Sequence, residues 1–407
     1  MVLSKTRYTT DGYKLSVGNI FWYWNMILGM KVQGRYKFFD RDNTVYPSTF
    51  ADQLREKFEE NSELPPRPDI SEYVASRWPF LPRNYLQWYD NVFYFDKNQI
   101  DLSQRGGKLN ILYEGPIHTV CHHEIISLHD ISNLTTKNFG YKPDYGWKEV
   151  IEYNARVLQE RGVRHSSGGG RRALSREHHE EVLGIISKYP KTEDTIGGLT
   201  GESFIDEAWN FNLMIMGTMG HEYPMACAGI WGYEKANAMA RKIWIEQYGK
   251  NLGYWLDDTF MTEVSDRDMD AKTANTFKGS RWDSGPFDWY VDSRIALYEK
   301  LGIKSSTKDI IASNSLKNME EILHTIEYRT GEFKPASLLG GFWANNSCNT
   351  GLNRLGKPKR GYNIVNKLVA IKVGDGEWTD ICKLTNDLSK AIGTPEEIAK
   401  CRIKLKI

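Results

Sequence analysis

The 407-residue sequence lacks several features that would assign it to a specialised class of protein. Its five cysteines are scattered and form no C-x-x-C pair, which excludes a disulfide-rich scaffold and favours a reducing compartment. Lys and Arg (53) nearly balance Asp and Glu (52), so no general surface for nucleic acid or an anionic membrane is expected. No apolar run approaches the roughly 20 residues that cross a bilayer, and residues 1–7 lack the apolar stretch of a signal peptide. We therefore expect a globular, cytoplasmic protein.

Four short apolar runs in the second half each end in small or polar residues. They are Tyr254–Leu256, the segment before Arg281, 310–312 and 336–339. The polar positions that follow them, 258, 283, 314 and 341, are 25, 31 and 27 residues apart, close to the roughly 30 residues of one βα unit. With amphipathic helices predicted over 147–161 and 174–188, the pattern predicts an α/β fold, an irregular β/α barrel. An ordinary helix cap or turn explains any single one of these positions equally well.

The two ends of the chain predict a different kind of structure. The first third mixes helical stretches with a strand candidate over 108–113, which ends at the turn signal Glu114-Gly115-Pro116. A last strand is predicted over 362–371, followed by a hairpin whose second arm is 381–384. We therefore predict an α+β N-terminal domain over 1–128, completed by 355–407, and a barrel-like catalytic domain over 129–354.

His221 lies in the small-residue segment 217–222, after the apolar run 213–216, for which we predict a buried strand. A histidine at a strand end can act as acid, base or nucleophile, and the adjacent carboxylate of Glu222 would fix its tautomer. A hydrogen-bonded turn histidine is the equally weighted alternative.

Two arginine-containing segments indicate anion binding. Arg171 and Arg172 follow three glycines, which allow close approach of the backbone, and paired guanidinium groups suit a carboxylate or phosphate. A flexible loop with solvated arginines is the alternative for this segment. The segment 281–285 combines a cation, a carboxylate and a hydroxyl at a predicted strand end, which suits a sugar phosphate.

Four histidines, His118, His122, His123 and His129, raise a zinc hypothesis with Glu124 as a further ligand. Their spacing matches no established metal signature, so we predict no protein-held metal site. The expected cation is Mg²⁺ that arrives with a polyphosphate substrate.

Taken in order, segments along nearly the whole chain resemble nicotinate phosphoribosyltransferases. Residues 10–15 resemble the family's T-D-x-Y-K-L, 123–128 its W-E-V-P-L-L, and 169–177 its F-G-T-R-R-R-F-S-R-E; 217–222 resemble G-T-x-A-H-E, 258–262 D-T-Y-T-T, and 281–285 R-H-D-S-G. Further similar segments are 298–303, 363–369 and 383–385. The sequence departs from the family at several positions. The family has an aromatic residue at Gly168, a third arginine at Ala173, an alanine at Gly220, a histidine at Trp282 and an aspartate at Asn314.

The resemblance implies a type II phosphoribosyltransferase that displaces pyrophosphate from phosphoribosyl pyrophosphate with the ring nitrogen of nicotinate. It implies coupling to ATP hydrolysis through transient phosphorylation of His221, with Mg²⁺ bound to phosphoribosyl pyrophosphate and ATP. It also implies a homodimer with shared active sites, in which the tyrosine motif comes from the partner. The implied catalytic residues are His221, Asp258 and Asp283. The implied substrate-binding residues are Asp11, Tyr13, Arg171, Arg172, Ser203, Arg281, Ser284, Gly285, Asn314, Gly340 and Gly341.

One position predicts which pyridine substrate, nicotinate or nicotinamide, the enzyme uses. By the family's spacing, Ser203 occupies the place where nicotinate enzymes have serine and nicotinamide enzymes have aspartate. The resemblance therefore favours nicotinate. A nicotinamide phosphoribosyltransferase and a non-catalytic binder of phosphoribosyl pyrophosphate are the two alternatives.

Overall fold

The computed structural model describes residues 5–314, 316–345 and 362–407, which form two β-sheets and the helices around them. The strands are β1 (Val32–Asp40), β2 (Ile100–Arg105), β3 (Lys108–Pro116), β4 (Arg164–Ser167), β5 (Gly198–Glu202), β6 (Tyr254–Leu256), β7 (Gly279–Trp282), β8 (Asp309–Ala312), β9 (Lys334–Leu339), β10 (Ile364–Val373) and β11 (Thr379–Asp380). The helices are α1 (Gly12–Trp22), α2 (Phe50–Ser62), α3 (Pro68–Arg77), α4 (Arg83–Asn91), α5 (Ile117–Val120), α6 (His123–Phe139), α7 (Trp147–Glu160), α8 (Arg176–Ile186), α9 (Ile205–Asn210), α10 (Glu222–Trp231), α11 (Tyr233–Tyr248), α12 (Thr262–Arg267), α13 (Ala271–Thr276), α14 (Phe287–Lys300), α15 (Met319–Glu327), α16 (Gly341–Asn345) and α17 (Pro395–Leu405). Parts of the two predicted domains, residues 1–4, 315 and 346–361, lie outside the described residues.

The antiparallel sheet joins the two ends of the chain. Its order is β11-β10-β1-β3-β2, and every neighbouring pair runs antiparallel. Strand β3 confirms the strand predicted over 108–113, and β10 confirms the predicted last strand with a shift of two residues. Alternate residues of β1, from Val32 to Phe38, face the core, as expected of a sheet with one buried face.

The predicted second arm of the last hairpin is wrong in position. On the side away from β1, β10 pairs with β11, and the amide of Ile381 still donates to the carbonyl of Val369 (2.9 Å). Residues 381–385 are all buried, and after Ile381 they make only isolated bridges, from Lys383 and Leu384. A continuous buried run has no solvent face, so it leaves the sheet edge and packs into the core. This displacement carries Lys383 and Thr385 toward the parallel sheet.

The parallel sheet has the order β5-β4-β9-β8-β7-β6. Strands β6 to β9 confirm the four apolar runs found in the sequence, and α7 and α8 confirm the two predicted amphipathic helices. Helix α8 begins where the Ser175 hydroxyl accepts a hydrogen bond from the amide of His178 (3.1 Å). Buried residues three and four apart on α7 and α8, such as Val182 and Ile186, face the core of this sheet.

The irregular side of this α/β fold lies between β5 and β6, the two outer strands of the described sheet. Ile215 makes a single bridge to Glu202 at the end of β5, and His221 contacts Thr259, which follows β6. An irregular segment therefore occupies the side where a regular barrel would have another strand.

Helix α6 contains the predicted domain boundary at residues 128 and 129. The division into domains stays a prediction.

No helix among the described residues is long and apolar enough to span a bilayer.

Candidate active site

The carboxyl ends of the parallel strands bring predicted site residues to one edge of the sheet. Ser203 follows β5, Asp258 follows β6, Asp283 follows β7, Asn314 follows β8 and Gly340 follows β9. Loops at this edge can present polar groups to a ligand without disturbing the packed strands. The strand ends identified by spacing in the sequence therefore converge.

His221 is held by side chains from two of these strand ends. Its Nδ1 lies 3.0 Å from Thr259 Oγ1, and its Nε2 lies 3.0 Å from Asp283 Oδ2 and 3.8 Å from Asp258 Oδ1. A carboxylate only accepts, so Nε2 donates to Asp283 and Nδ1 accepts from the Thr259 hydroxyl. Burial and nearby Lys383 lower the pKa of His221 to about 4, so the ring is neutral at pH 7.

Asp283 links His221 to the next strand end. Burial raises the pKa of this carboxyl, but the hydrogen bond from His221 and the charges of Arg281 and Lys383 together outweigh burial and bring the pKa well below its usual range. Its Oδ1 accepts from the Ser313 hydroxyl (3.0 Å), and its backbone carbonyl accepts from Lys390 Nζ (2.7 Å). Lys390 also donates to Asn314 Oδ1 (2.5 Å), so the amide found in place of the family's aspartate has a cationic partner.

Asp258 offers the second carboxylate of the site. Thr385 Oγ1 lies 3.0 Å from Asp258 Oδ2 and 2.5 Å from Ser284 Oγ. Asp258 Oδ1 is buried and has no hydrogen-bond partner among the described residues. Ligand atoms of Asp258, Asp283 and His221 lie within 4.8 Å of one another, a donor set that can hold a cation.

Two expectations about the surroundings of His221 are wrong. Segment 213–216 is not a strand but an irregular stretch in which Met214 is exposed and Ile215 makes one bridge. Glu222 does not hold the imidazole, because its carboxylate binds Lys14 and Tyr36. Neighbouring residues at a helix start point about 100° apart, so His221 and Glu222 face different groups.

Arg171 belongs to a second group of predicted residues. Its Nη1 donates to Asp11 Oδ2 (3.0 Å) and lies 3.5 Å from Tyr13 Oη, while Ser203 Oγ donates to Asp11 Oδ1 (2.6 Å). Arg171 therefore has fixed partners and is not the solvated arginine of the alternative interpretation. Burial and the charge of Arg171 lower the pKa of Arg172 to about 10, and the Arg172 Nε has no partner in the described part of the chain.

The glycines before these arginines allow close packing of protein against protein. A Cβ on Gly169 would lie 2.7 Å from the carbonyl oxygen of Gly340, and one on Gly170 would lie 2.6 Å from the Phe204 ring. A Cβ on Gly168 would meet the end of the Leu338 side chain at 2.8 Å.

Two side chains at the end of β7 donate hydrogen bonds to backbone carbonyls. Arg281 Nη1 donates to the carbonyl of Met219 (3.1 Å), two residues before His221. The Trp282 indole donates to the carbonyl of Gly285 (3.1 Å), a glycine with a φ of +76°. Gly341 begins α16.

Tyr13 connects the Arg171 group with the His221 group inside one chain. A Cβ on Gly220 would lie 2.8 Å from the Tyr13 ring, so this ring packs against the residue before His221. Helix α1 of the same chain places this tyrosine here, and a tyrosine supplied by a partner subunit stays a prediction.

Lys14, the next residue along α1, lies between two buried carboxylates. Its Nζ is 2.5 Å from Glu124 Oε2 and 2.5 Å from Glu222 Oε1, and the Tyr36 hydroxyl donates to Glu222 Oε2 (2.6 Å). Burial raises the pKa of Glu124, but Lys14, Lys367 and Arg171 together outweigh burial and lower it to about 2. This ion cluster anchors α10 immediately after His221.

The four clustered histidines do not form a metal site in residues 5–314, 316–345 and 362–407. Neither of the metal-type groups found there contains them. Burial lowers the pKa of His118 and His123 to about 4, and their rings pack against Trp88 and Tyr113. They are neutral core histidines.

Sequence reasoning missed several polar residues of the site, namely Thr259, Lys383, Thr385 and Lys390. The signal for three of them was present, because Thr259, Lys383 and Thr385 lie in segments 258–262 and 383–385, which resemble the family. Only the folded chain brings segment 383–385 to Asp258.

Two family profiles together match almost the whole chain. The profile of the Nicotinate phosphoribosyltransferase (NAPRTase) family matches residues 165–400, and that of the NAPRTase N-terminal domain matches residues 8–132. The chain belongs to the nicotinate phosphoribosyltransferase family. His221, Asp258, Asp283 and Arg171 all lie within the first of these matches.

Similar proteins support the same family. A nicotinate phosphoribosyltransferase of Desulforapulum autotrophicum is 27% identical over 374 residues, which cover 91% of this chain and 92% of that protein. One of Methanosarcina mazei is 29% identical over 78% of this chain and 81% of its own. The crystal structure of nicotinate phosphoribosyltransferase from Porphyromonas gingivalis superposes with a TM-score of 0.90, at 28% identity and with full coverage of both chains.

Proposed function

We propose that this chain is an enzyme that joins nicotinate to phosphoribosyl pyrophosphate, giving nicotinate mononucleotide and pyrophosphate in NAD synthesis or salvage. The observation that carries the proposal is the edge of the parallel sheet, where the Arg171 group and the His221 group meet around Tyr13. One group suits an aromatic carboxylate and the other suits a phosphorylated sugar. Membership of the nicotinate phosphoribosyltransferase family supports the assignment.

The Arg171 group is the proposed site for nicotinate. A guanidinium fork binds a carboxylate through paired hydrogen bonds, and Arg171 is already oriented by Asp11. Arg172, with its unpartnered Nε, is the second cation available to the nicotinate carboxylate or to pyrophosphate. Tyr13 offers a ring face for the pyridine.

The Asp258 and Asp283 carboxylates are the proposed ligands for Mg²⁺ brought by phosphoribosyl pyrophosphate. The fit rests on hard oxygen donors, on the unpartnered Asp258 Oδ1 and on the short distances within this group. The ion would neutralise charge on the leaving pyrophosphate. Ser284 and Asn314 lie beside these carboxylates as hydrogen-bonding groups for the sugar, and Gly340 and Gly341 offer backbone amides for the 5′-phosphate.

In the transfer of the phosphoribosyl group, the protein itself forms no covalent bond to the substrates. The pyridine nitrogen forms a bond to C1 of the ribose as the bond from C1 to the pyrophosphate oxygen breaks, and the electron pair leaves with pyrophosphate. Arg281, Lys383 and Lys390 supply positive charge near Asp283. Their part is to position the substrate and to stabilise the charge that develops on the leaving group.

ATP hydrolysis is proposed to act through a phosphohistidine at His221. The lone pair on Nδ1, which now accepts from Thr259, attacks the γ-phosphorus, and the bond from that phosphorus to the ADP oxygen breaks. Water later hydrolyses the new N–P bond. Asp283 holds the Nε2 proton and stabilises the positive ring that forms.

The low pKa of His221 predicts an unusual pH profile for this step. A solvated histidine loses its nucleophilic form as the pH falls through 6.5, whereas His221, with a pKa of about 4, stays neutral. In single-turnover experiments with ³²P-labelled ATP, we expect the rate of His221 phosphorylation to stay constant through pH 6.5 and to fall only near pH 4. A midpoint near 6.5 would show that the imidazole is solvated in the working enzyme.

One assay decides between the proposed function and its alternatives. Purified protein is incubated with phosphoribosyl pyrophosphate, Mg²⁺ and either nicotinate or nicotinamide, with and without ATP, and the mononucleotides are separated by chromatography. Nicotinate mononucleotide alone is the expected product. Nicotinamide mononucleotide would favour the alternative base, and no product from either base would favour a non-catalytic binder.

Replacing Arg171 with glutamine is expected to raise the KM for nicotinate about 10- to 100-fold, because a hydrogen bond to a charged group contributes roughly 1.5–3 kcal/mol. Reaction with nicotinamide, if measurable, should change little. The control is Arg161→Gln, which removes a similar ion pair, with Glu327, on the exposed surface. Equal nicotinate KM values for the two variants would contradict the proposed role of Arg171.

The family resemblance further predicts a homodimer with shared sites, although one chain already brings the described site residues together. Sedimentation velocity with and without phosphoribosyl pyrophosphate tests this prediction.

We also propose a cytoplasmic location, which the scattered cysteines support and microscopy of a tagged protein would test.

A further inference from the structure

A second group of ligand-type side chains lies in the core, one residue from Ser203. His179 of α8, Glu202 at the end of β5 and Glu207 of α9 bring ligand atoms within 4.8 Å of one another. Their exposed fractions are 0, 0 and 1%. Sequence patterns gave no indication of this group, because its members come from three elements.

Two atoms of the group have no partner. His179 Nδ1 lies 2.7 Å from Glu207 Oε2, but His179 Nε2 and Glu202 Oε2 are buried without a hydrogen bond to any described residue. Ser167, which pairs with Glu202 across β4 and β5, places its buried hydroxyl beside this carboxylate. Buried polar atoms normally have hydrogen-bond or metal partners, so these unpartnered atoms indicate that a further group binds at this position in the core.

We propose that His179, Glu202 and Glu207 bind one divalent ion of the zinc class. Imidazole nitrogen and carboxylate oxygen are both ligand types that zinc takes in proteins. Two carboxylates neutralise the ion's two charges, and binding releases the His179 proton to solvent. The ion would join α8, β5 and α9 directly behind the segment that carries Ser203. This proposal does not depend on the proposed function.

Because the three proposed ligands are completely buried, the experiment tests for an ion that resists removal by a chelator. An ion held here is acquired during folding and exchanges slowly, whereas one at His221, Asp258 and Asp283 is open to chelators because Asp283 is 25% exposed. Protein is expressed in zinc-supplemented medium and dialysed against EDTA, and the metal content is measured by mass spectrometry. We expect about one EDTA-resistant zinc ion per chain.

Variants then locate the ion. His179→Gln and Glu207→Gln should lose the resistant zinc, whereas Asp258→Asn should retain it. The matched control is His178→Gln, which changes the neighbouring histidine of α8, whose ring packs against Trp147. Zinc that stays in both His179→Gln and Glu207→Gln overturns the proposal, as does its absence from the unaltered protein.

A spectroscopic measurement covers the case in which these variants do not fold. Zinc-edge X-ray absorption of the EDTA-treated Asp258→Asn protein should show nitrogen and oxygen ligands with one imidazole. Sulfur ligands, or more than one imidazole, would place the ion elsewhere and overturn the proposal.

Discussion

Replacing His221 with alanine is expected to lower ATP turnover by about 10³-fold or more, while slow ATP-independent formation of nicotinate mononucleotide continues. The variant removes the proposed phosphate acceptor but keeps both carboxylates, Asp258 and Asp283, and the Arg171 group. Binding and positioning of the two substrates therefore persist. Parallel measurements of ADP release and of mononucleotide formation separate the two effects.

The control for this variant is His324→Ala. His324 also pairs with an aspartate, through a 2.6 Å contact of its Nε2 with Asp288, but it lies half-exposed on α15. ATP turnover should be unchanged there. Unaltered ATP turnover in His221→Ala would refute the phosphohistidine, and complete loss of transfer with and without ATP would show that His221 supports transfer itself.

The position of His221 also shows how much of the site the sequence could predict. Spacing of the apolar runs located β6 to β9, because parallel strands are buried on both faces and their ends are marked by small or polar residues. The residues at those ends, including Asp258 and Asp283, follow directly. The strand predicted before His221 failed because short apolar runs such as 213–216 also occur in irregular segments.

Contacts between distant parts of the chain could not be predicted from the sequence. The carboxylate that holds His221 is Asp283, 62 residues away, and the adjacent Glu222 serves Lys14 instead. Thr385 reaches Asp258 only because a buried run leaves the antiparallel sheet. Pairings of this kind depend on packing of two sheets, which local pattern does not encode.

Lys14→Met is expected to lower the free energy of unfolding by about 3–5 kcal/mol, because it leaves Glu222 buried without its cation and Glu124 with only the more distant Lys367 (4.0 Å). Methionine keeps most of the side-chain volume, so loss of charge is the main change. Urea unfolding followed by circular dichroism measures the difference. The control Lys57→Met removes an exposed pair with Glu60 and should cost less than about 1 kcal/mol.

The pH dependence identifies the cause of this loss. Glu124 has a pKa of about 2 in the folded chain against an ordinary 4.5, so its pairing contributes fully above pH 4.5 and disappears as the pH falls toward 2. The difference between Lys14→Met and the unaltered protein should therefore shrink over that range. Adding Glu222→Gln to Lys14→Met should recover part of the stability, since one uncompensated charge is removed. A loss independent of pH and not recovered by Glu222→Gln would instead indicate a packing defect in α1, and the ion cluster would not be what fixes α10 beside His221.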